Sequence, residues 1–70
     1  MKLRVNGEER DFALGGEPRL TALLAGLGIE PGAAGVAVAI NARVIPRHEI
    51  EAVRLEEGDR VEIVRAVQGG

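Results

Sequence analysis

The only strong helical pattern in this sequence is PRLTALLAGLG, residues 18–28. Its leucines recur at positions i, i+3, i+4 and i+7, the spacing that places side chains on one face of an amphipathic helix: Leu20, Leu23, Leu24 and Leu27. We expect Pro18 in the first helical turn, Glu17 beside the positive end of the helix dipole, and Gly28 at the C-terminal cap. The pattern predicts one short helix that buries its leucine face, so the rest of the chain must supply the surface beneath it.

The residues before the helix predict an antiparallel hairpin. Apolar residues at positions 1, 3 and 5 alternate with charged ones, and Asn6-Gly7 is typical of a two-residue type I′ turn. The return strand is expected over residues 8–14. In this register Arg10 lies opposite Leu3, so we expect the Arg10 stem to lie over the sheet edge with its guanidinium in water.

The residues after the helix predict three short strands separated by loops and turns. Residues 29–35 read as a loop, and residues 36–40 as a strand with Val36, Val38 and Ile40 inward and small residues outward. A turn at residues 41–42 leads to a short strand at 43–46, which Pro46 terminates or places at a sheet edge. Residues 48–55 are ambiguous between an irregular turn and a loop, with Ile50, Val53 and Leu55 as candidate anchors. The final strand is expected over residues 60–67, with Val61 and Ile63 inward.

The order of these elements predicts an α+β domain with a mixed sheet and one main helix packed on one face. A hairpin, a helix and then further strands within about seventy residues is the order of the β-grasp, or ubiquitin-like, roll. We expect this domain to occupy residues 1–67. Residues 68–70, Gln-Gly-Gly, are expected to form a flexible C-terminal tail.

Composition excludes several functional classes. The 70 residues carry a net charge of −2, contain no cysteine and have one histidine, so disulfides, thiolate nucleophiles and cysteine metal sites are ruled out. Arginines and glutamates are interleaved rather than arranged in a basic stripe, and the longest apolar run, residues 33–40, is too short to span a membrane. We therefore expect a cytoplasmic protein with no metal site and no nucleic-acid or membrane partner. A chain this short leaves little volume for a catalytic pocket, so we expect no enzyme activity and no catalytic residue.

The last two residues, Gly69-Gly70, are a feature that the core does not need. Glycine has no side chain, so such a tail can enter a narrow channel in any backbone conformation and present the Gly70 carboxylate away from the body. A free carboxylate becomes an acylating group only after activation, typically as an acyl-adenylate. The fold and the tail together favour a small protein that enzymes pass on as a substrate. A structural subunit with an accidental Gly-Gly end is the alternative that the residues leave open.

Three further motifs accompany the Gly-Gly end: Val38-Ala39-Ile40-Asn41, Val44-Ile45-Pro46-Arg47 and Leu55-Glu56-Glu57-Gly58-Asp59. With Gly69-Gly70 they resemble the pattern of the ThiS family, the sulfur-carrier proteins of the thiamine pathway. The resemblance covers essentially the whole chain. Asn41 and the Ile45-Pro46-Arg47 stretch point to this family, whereas the Gly58-Asp59 turn and the Gly-Gly end are shared with other ubiquitin-like sulfur carriers.

The resemblance implies a mechanism in which the carrier itself catalyses nothing and binds no cofactor. A ubiquitin-activating-type adenylating enzyme would use ATP and Mg²⁺ to adenylate Gly70, and a persulfide donor would then convert the adenylate to a thiocarboxylate. Thiazole synthase would receive the sulfur. Gly70 would be the covalent site, and Gly69 would give it reach. The alternatives are a sulfur carrier for molybdopterin synthesis or tRNA thiolation, and a ubiquitin-like protein modifier.

Six other residues are candidate partner contacts. Asn41 and Arg47 belong to the family motifs, while Ala37 and Ala39 form a small-residue face that we expect, with the neighbouring Arg43 and Arg65, to dock on a partner. Each also has an ordinary structural explanation, because asparagine is common in turns and surface arginines are usually solvated.

Overall fold

The computed structural model describes residues 1–30 and 34–66, and its five strands form one mixed sheet. Strands β1 and β2 precede the helix α1, and strands β3 to β5 follow it, with a 3₁₀ helix before the last strand. The sheet order is β2-β1-β5-β3-β4, with β1 parallel to β5 and every other pairing antiparallel. The bounds are β1 Lys2–Val5, β2 Glu8–Asp11, α1 Leu20–Gly26, β3 Val36–Ile40, β4 Arg43–Ile45, 3₁₀ helix Arg47–Ala52 and β5 Arg60–Arg65. The predicted strand position Val67 and the predicted tail at 68–70 lie outside the described residues.

The opening hairpin forms as expected but is shorter than predicted. Asn6 and Gly7 have φ angles of 49° and 83°, as a type I′ turn requires. Strand β2 ends at Asp11 rather than at residue 14, because β1 begins at Lys2 and the residues beyond Phe12 have no strand to pair with. Arg10 does lie opposite Leu3, and its guanidinium carbon is 5.3 Å from the centroid of the Phe12 ring.

The helix begins later than the sequence suggested. Pro18 precedes α1 instead of occupying its first turn, and its carbonyl accepts a hydrogen bond from the backbone N–H of Leu55 at 2.6 Å. The Glu17 carboxylate forms ion pairs with Arg19 at 2.8 Å and with Arg54 at 3.3 Å. The pKa of Glu17 lies below its ordinary value, mainly because the Arg19 guanidinium donates a hydrogen bond to the carboxylate. These contacts hold the segment extended along residues 53–55. At the other end the helix stops at Gly26, and Gly28 adopts a φ of 76° just past the cap.

The core lies between α1 and one face of the sheet, as predicted. Leu20, Leu23 and Leu24 are completely buried, while Leu27 at the end of the helix is only partly buried. The sheet contributes five buried side chains to this core, with Ile40 partly buried beside them: Leu3, Val5, Val38, Val61 and Ile63.

The ambiguous segment at residues 48–55 contains most of the 3₁₀ helix, which anchors the core through one isoleucine. Ile50 and Leu55 are buried and Val53 is partly buried, so the predicted anchors are confirmed. Pro46 precedes this helix and ends β4, which therefore covers three residues.

Candidate functional site

The sheet has one face covered by α1 and one face that no element of the described residues covers. Side chains alternate along each strand, so the neighbours of the buried residues point to this open face. The strand register places Ala37 opposite Val64, and it places Ala39 between Glu62 and Val44. The open face thus contains a central strand, β5, with small residues on one side of it and charged residues on the other. We define the open face by its residues: Lys2, Arg4, Glu9, Asp11, Ala37, Ala39, Val44, Arg60, Glu62 and Val64.

Four of the ten residues of this open face are apolar, and they lie together on β3, β4 and β5. Val44 is 70% exposed and Val64 is 63% exposed, and the register sets Ala37 and Ala39 next to them. Single exposed apolar residues are common, but neighbouring ones that share a surface indicate an interaction site. The predicted outward orientation of Ala37 and Ala39 is confirmed, and we call the four residues the apolar patch. The sequence analysis did not assign Val44 and Val64 to this surface. Because side chains alternate along a strand, their positions next to the inward-facing Ile45 and Ile63 nevertheless identify both valines as outward.

Arg43 and Arg65 do not belong to the open face, so the expected grouping of these residues with Ala37 and Ala39 is wrong. Arg43 lies opposite Ile40 and Arg65 lies opposite Val36, which are positions on the helix side of the sheet. A shift of one residue along a strand changes the face on which a side chain lies. Arg65 accordingly borders a concavity of about 270 Å³ next to the end of α1 instead.

Asn41 joins two of the sequence motifs by hydrogen bonds. Its Nδ2 donates to Asp59 Oδ1 at 3.0 Å, and its Oδ1 accepts from the backbone N–H of Arg60 at 3.0 Å. The second carboxylate oxygen of Asp59 accepts from the backbone N–H of Glu56 at 2.8 Å. Asp59 is only 9% exposed, and every buried polar side-chain atom of the described residues has a partner. The side chain of Asn41 therefore holds the β3–β4 turn against the loop before β5.

Replacing Asn41 tests whether this network stabilises the fold. We expect Asn41→Ala to lower the free energy of unfolding by about 1–3 kcal/mol, because it leaves the buried Asp59 carboxylate short of a donor. Asn41 also has a φ of 50°, which alanine tolerates poorly. Asn41→Gly is the matched control, since glycine accepts that φ but makes no side-chain hydrogen bond. Urea titration of both variants gives the two contributions, and unchanged stability in both would contradict the structural role.

The candidate residues lie at different ends of β5. Asn41 is hydrogen-bonded to Arg60 at the start of this strand, whereas Val64 and its partner Ala37 lie near the end that leads to residues 67–70. Six residues of extended strand place these two ends about 16 Å apart. Arg47 is exposed at the start of the 3₁₀ helix, directly after Pro46. Val64 and Ala37 of the apolar patch thus lie at the C-terminal end of β5, and the expected Gly69-Gly70 tail lies outside the described residues.

Within residues 1–30 and 34–66 no group of three His, Cys, Asp or Glu side chains could hold a metal ion. None of the helices in these two ranges has the length and apolar character needed to cross a membrane.

Comparison with known families gives a match over nearly the whole chain. The model of the ThiS family matches residues 3–70. The chain belongs to the ThiS family. Because this is the family that the motifs at residues 38–59 and 69–70 resemble, the interpretation of those motifs as the pattern of thiamine-pathway sulfur carriers is confirmed.

Solved structures confirm the β-grasp fold. The crystal structure of the thiamine biosynthesis protein ThiS from Geobacter metallireducens is 31% identical, aligns over the full length of both chains and has a TM-score of 0.79. The solution structure of a thiamine biosynthesis protein from the same organism is 30% identical, with a TM-score of 0.82, over all of this chain and 88% of that one.

Two similar proteins are named thiazole synthase. One from Paramagnetospirillum magneticum is 39% identical to this ThiS-family chain over all 70 residues, and one from Magnetococcus marinus is 40% identical over the same length. The chain spans 20% of each of these proteins.

Proposed function

We propose that this chain carries sulfur in thiamine biosynthesis as a thiocarboxylate on Gly70 and donates it to thiazole synthase. The observation that carries the proposal is the ThiS-family match, which extends to residue 70 and therefore includes Gly69-Gly70. The chain is on this account a substrate that enzymes modify, not a catalyst. Because activation of the Gly70 carboxylate would require ATP, we place this protein in the cytoplasm.

The chemistry follows from the poor reactivity of a carboxylate. An adenylating enzyme would use ATP and Mg²⁺ to join the Gly70 carboxylate to AMP with release of pyrophosphate. The terminal sulfur of a persulfide donor would attack the activated carbonyl carbon, AMP would leave, and a thiol would reduce the resulting acyl disulfide to the thiocarboxylate. Gly69 contributes by having no side chain, so that a channel only as wide as the backbone can admit the tail.

Thiazole synthase is the acceptor that the relatives favour. A segment similar to this whole chain makes up a fifth of two proteins that bear this name. Domains joined in one polypeptide meet at high effective concentration, which suits a carrier and the enzyme that uses it. If this chain and its acceptor are separate proteins, the acceptor must recognise a surface of the folded domain, since Gly-Gly offers too little contact for specificity. We propose that thiazole synthase covers the apolar patch, because Val64 of this patch lies on β5, the last strand before the Gly69-Gly70 pair in the sequence.

Two measurements test the proposed function. The intact mass of the protein from its native cells should correspond to a chain ending at Gly70 with sulfur replacing one oxygen. The thiocarboxylate form should then transfer sulfur to purified thiazole synthase, with molybdopterin-synthase large subunit and a tRNA thiolase as comparison acceptors. Sulfur transfer to either comparison acceptor, with none to thiazole synthase, would contradict the proposal that thiazole synthase is the acceptor. Conjugates with other proteins that survive denaturation would instead favour a protein modifier.

A further inference from the structure

Two arginines lie side by side on the charged half of the open face. Arg4 on β1 and Arg60 on β5 are direct neighbours in the parallel strand register, and both side chains are exposed. Neither guanidinium has a hydrogen-bond or ion-pair partner within residues 1–30 and 34–66. Like charges on directly opposed strand positions destabilise a sheet by a few tenths of a kcal/mol, up to about 1 kcal/mol. The fold therefore maintains a small unfavourable interaction at this point.

Acidic residues that could neutralise the pair are close but do not do so. Glu9 lies opposite Arg4 on β2, and Glu62 follows Arg60 on the same face of β5. In the described part of the chain neither glutamate comes within ion-pair distance of an arginine, whereas Glu17 elsewhere on the surface pairs with two. The two arginines therefore remain available to a carboxylate from outside the chain.

The surroundings of the pair resemble the edge of a protein interface. Arg4 and Arg60 border a concavity of about 450 Å³ together with Asn6, Gly7 and Glu62. Glu62 lies opposite Ala39, so the concavity adjoins the apolar patch. Interfaces commonly combine an apolar centre with a polar rim, and arginine is enriched in interfaces relative to the rest of the protein surface. The paired guanidinium groups present planar forks of N–H donors that suit a carboxylate, and two isolated charges on a chain of net charge −2 are a poor match for nucleic acid.

We propose that Arg4 and Arg60 bind acidic side chains of thiazole synthase at the rim of the apolar patch. This inference rests on the proposed function and adds to it the charge that the acceptor must present. The surface of thiazole synthase that covers the open face should carry one or two carboxylates opposite the arginine pair. The pair would then orient the body on its acceptor, independently of the capture of the Gly-Gly tail.

The test is the affinity of the full chain for purified thiazole synthase at low and high salt. Arg4→Gln/Arg60→Gln should weaken binding about tenfold or more at low ionic strength, with a difference that shrinks as salt is added. Arg4→Lys/Arg60→Lys should bind with intermediate affinity, because lysine keeps the charge but lacks the planar fork. The melting temperature of the glutamine variant should stay the same or rise slightly, since repulsion within the sheet is removed. A fall would indicate that the arginines act in folding and would overturn the proposal.

A second double variant controls for net charge. Arg10→Gln/Arg43→Gln removes two positive charges on the helix side of the sheet, outside the open face, and should bind nearly as well as the unmodified chain. Equal weakening in both double variants would overturn the proposal, because it would show a general charge effect. Unchanged affinity in Arg4→Gln/Arg60→Gln would overturn it while leaving the proposed function intact, provided that the unmodified chain binds and transfers sulfur. If the unmodified chain neither binds thiazole synthase nor transfers sulfur to it, both proposals fail.

Discussion

Deletion of Gly69 and Gly70 is expected to abolish ATP–pyrophosphate exchange with the adenylating enzyme while the melting temperature stays nearly constant. Exchange requires a carboxylate that reaches the α-phosphate of ATP. In the shortened chain the terminal carboxylate lies two residues closer to the folded domain, so it should not reach that phosphate. Stability should be insensitive because β5 ends at Arg65 and the two glycines have no side chain to pack in the core. Radiolabelled pyrophosphate incorporation into ATP and a thermal melt measure the two effects.

One added residue after Gly70 provides the matched control for tail length. This variant keeps both glycines but displaces the carboxylate, and it should lose exchange to a similar degree. Misplacement of a reacting group by about 1 Å already costs roughly a hundredfold in rate. Full exchange by the deletion variant would refute the carrier proposal, and a large fall in melting temperature would show that the tail supports the fold.

Leu24→Ala is expected to lower the free energy of unfolding by about 2–5 kcal/mol. Leu24 is completely buried on the face of α1 that packs against the sheet, so its truncation removes apolar contacts and leaves a cavity. Small domains have only about 5–15 kcal/mol of stability in total, so the loss should be evident in a urea or thermal titration.

Leu27→Ala is the appropriate comparison for this effect. It is the same substitution one turn later, where the side chain is only partly buried, and it should cost less than Leu24→Ala. Equal losses at both positions would contradict the packing of α1 described above, and so would an unchanged melting curve for Leu24→Ala.

The local elements could be predicted because each depends on neighbouring residues. Asn6-Gly7 adopts the positive φ angles that a tight hairpin turn needs, and the spacing of the leucines determines which face of α1 is buried. The alternation in β3 likewise placed Ala37 and Ala39 on the outward side. In each case the backbone preference and the burial pattern favour the same arrangement.

The errors occurred where distant segments compete with local preference. Proline and glutamate are favoured in the first turn of a helix, so Glu17 and Pro18 were expected there. Hydrogen bonds and ion pairs with residues 54 and 55 keep this segment extended instead. The grouping of Arg43 and Arg65 with the small-residue face failed for another reason. Arg43 and Arg65 are close to the two alanines in the strands, but the register of β3 with its two neighbours places the arginines on the opposite face of the sheet.

The sequence by itself determined the turns, the leucine face of the helix, the family motifs and the Gly69-Gly70 pair, because all of these are properties of short stretches of chain. Only the tertiary structure decided that Asn41 meets Asp59, that Val44 and Val64 flank the two alanines, and that Arg4 lies beside Arg60. These pairs are separated by many residues, and nothing local specifies which of them become neighbours. Strand order and register specify it, and both follow from burying one continuous core under α1.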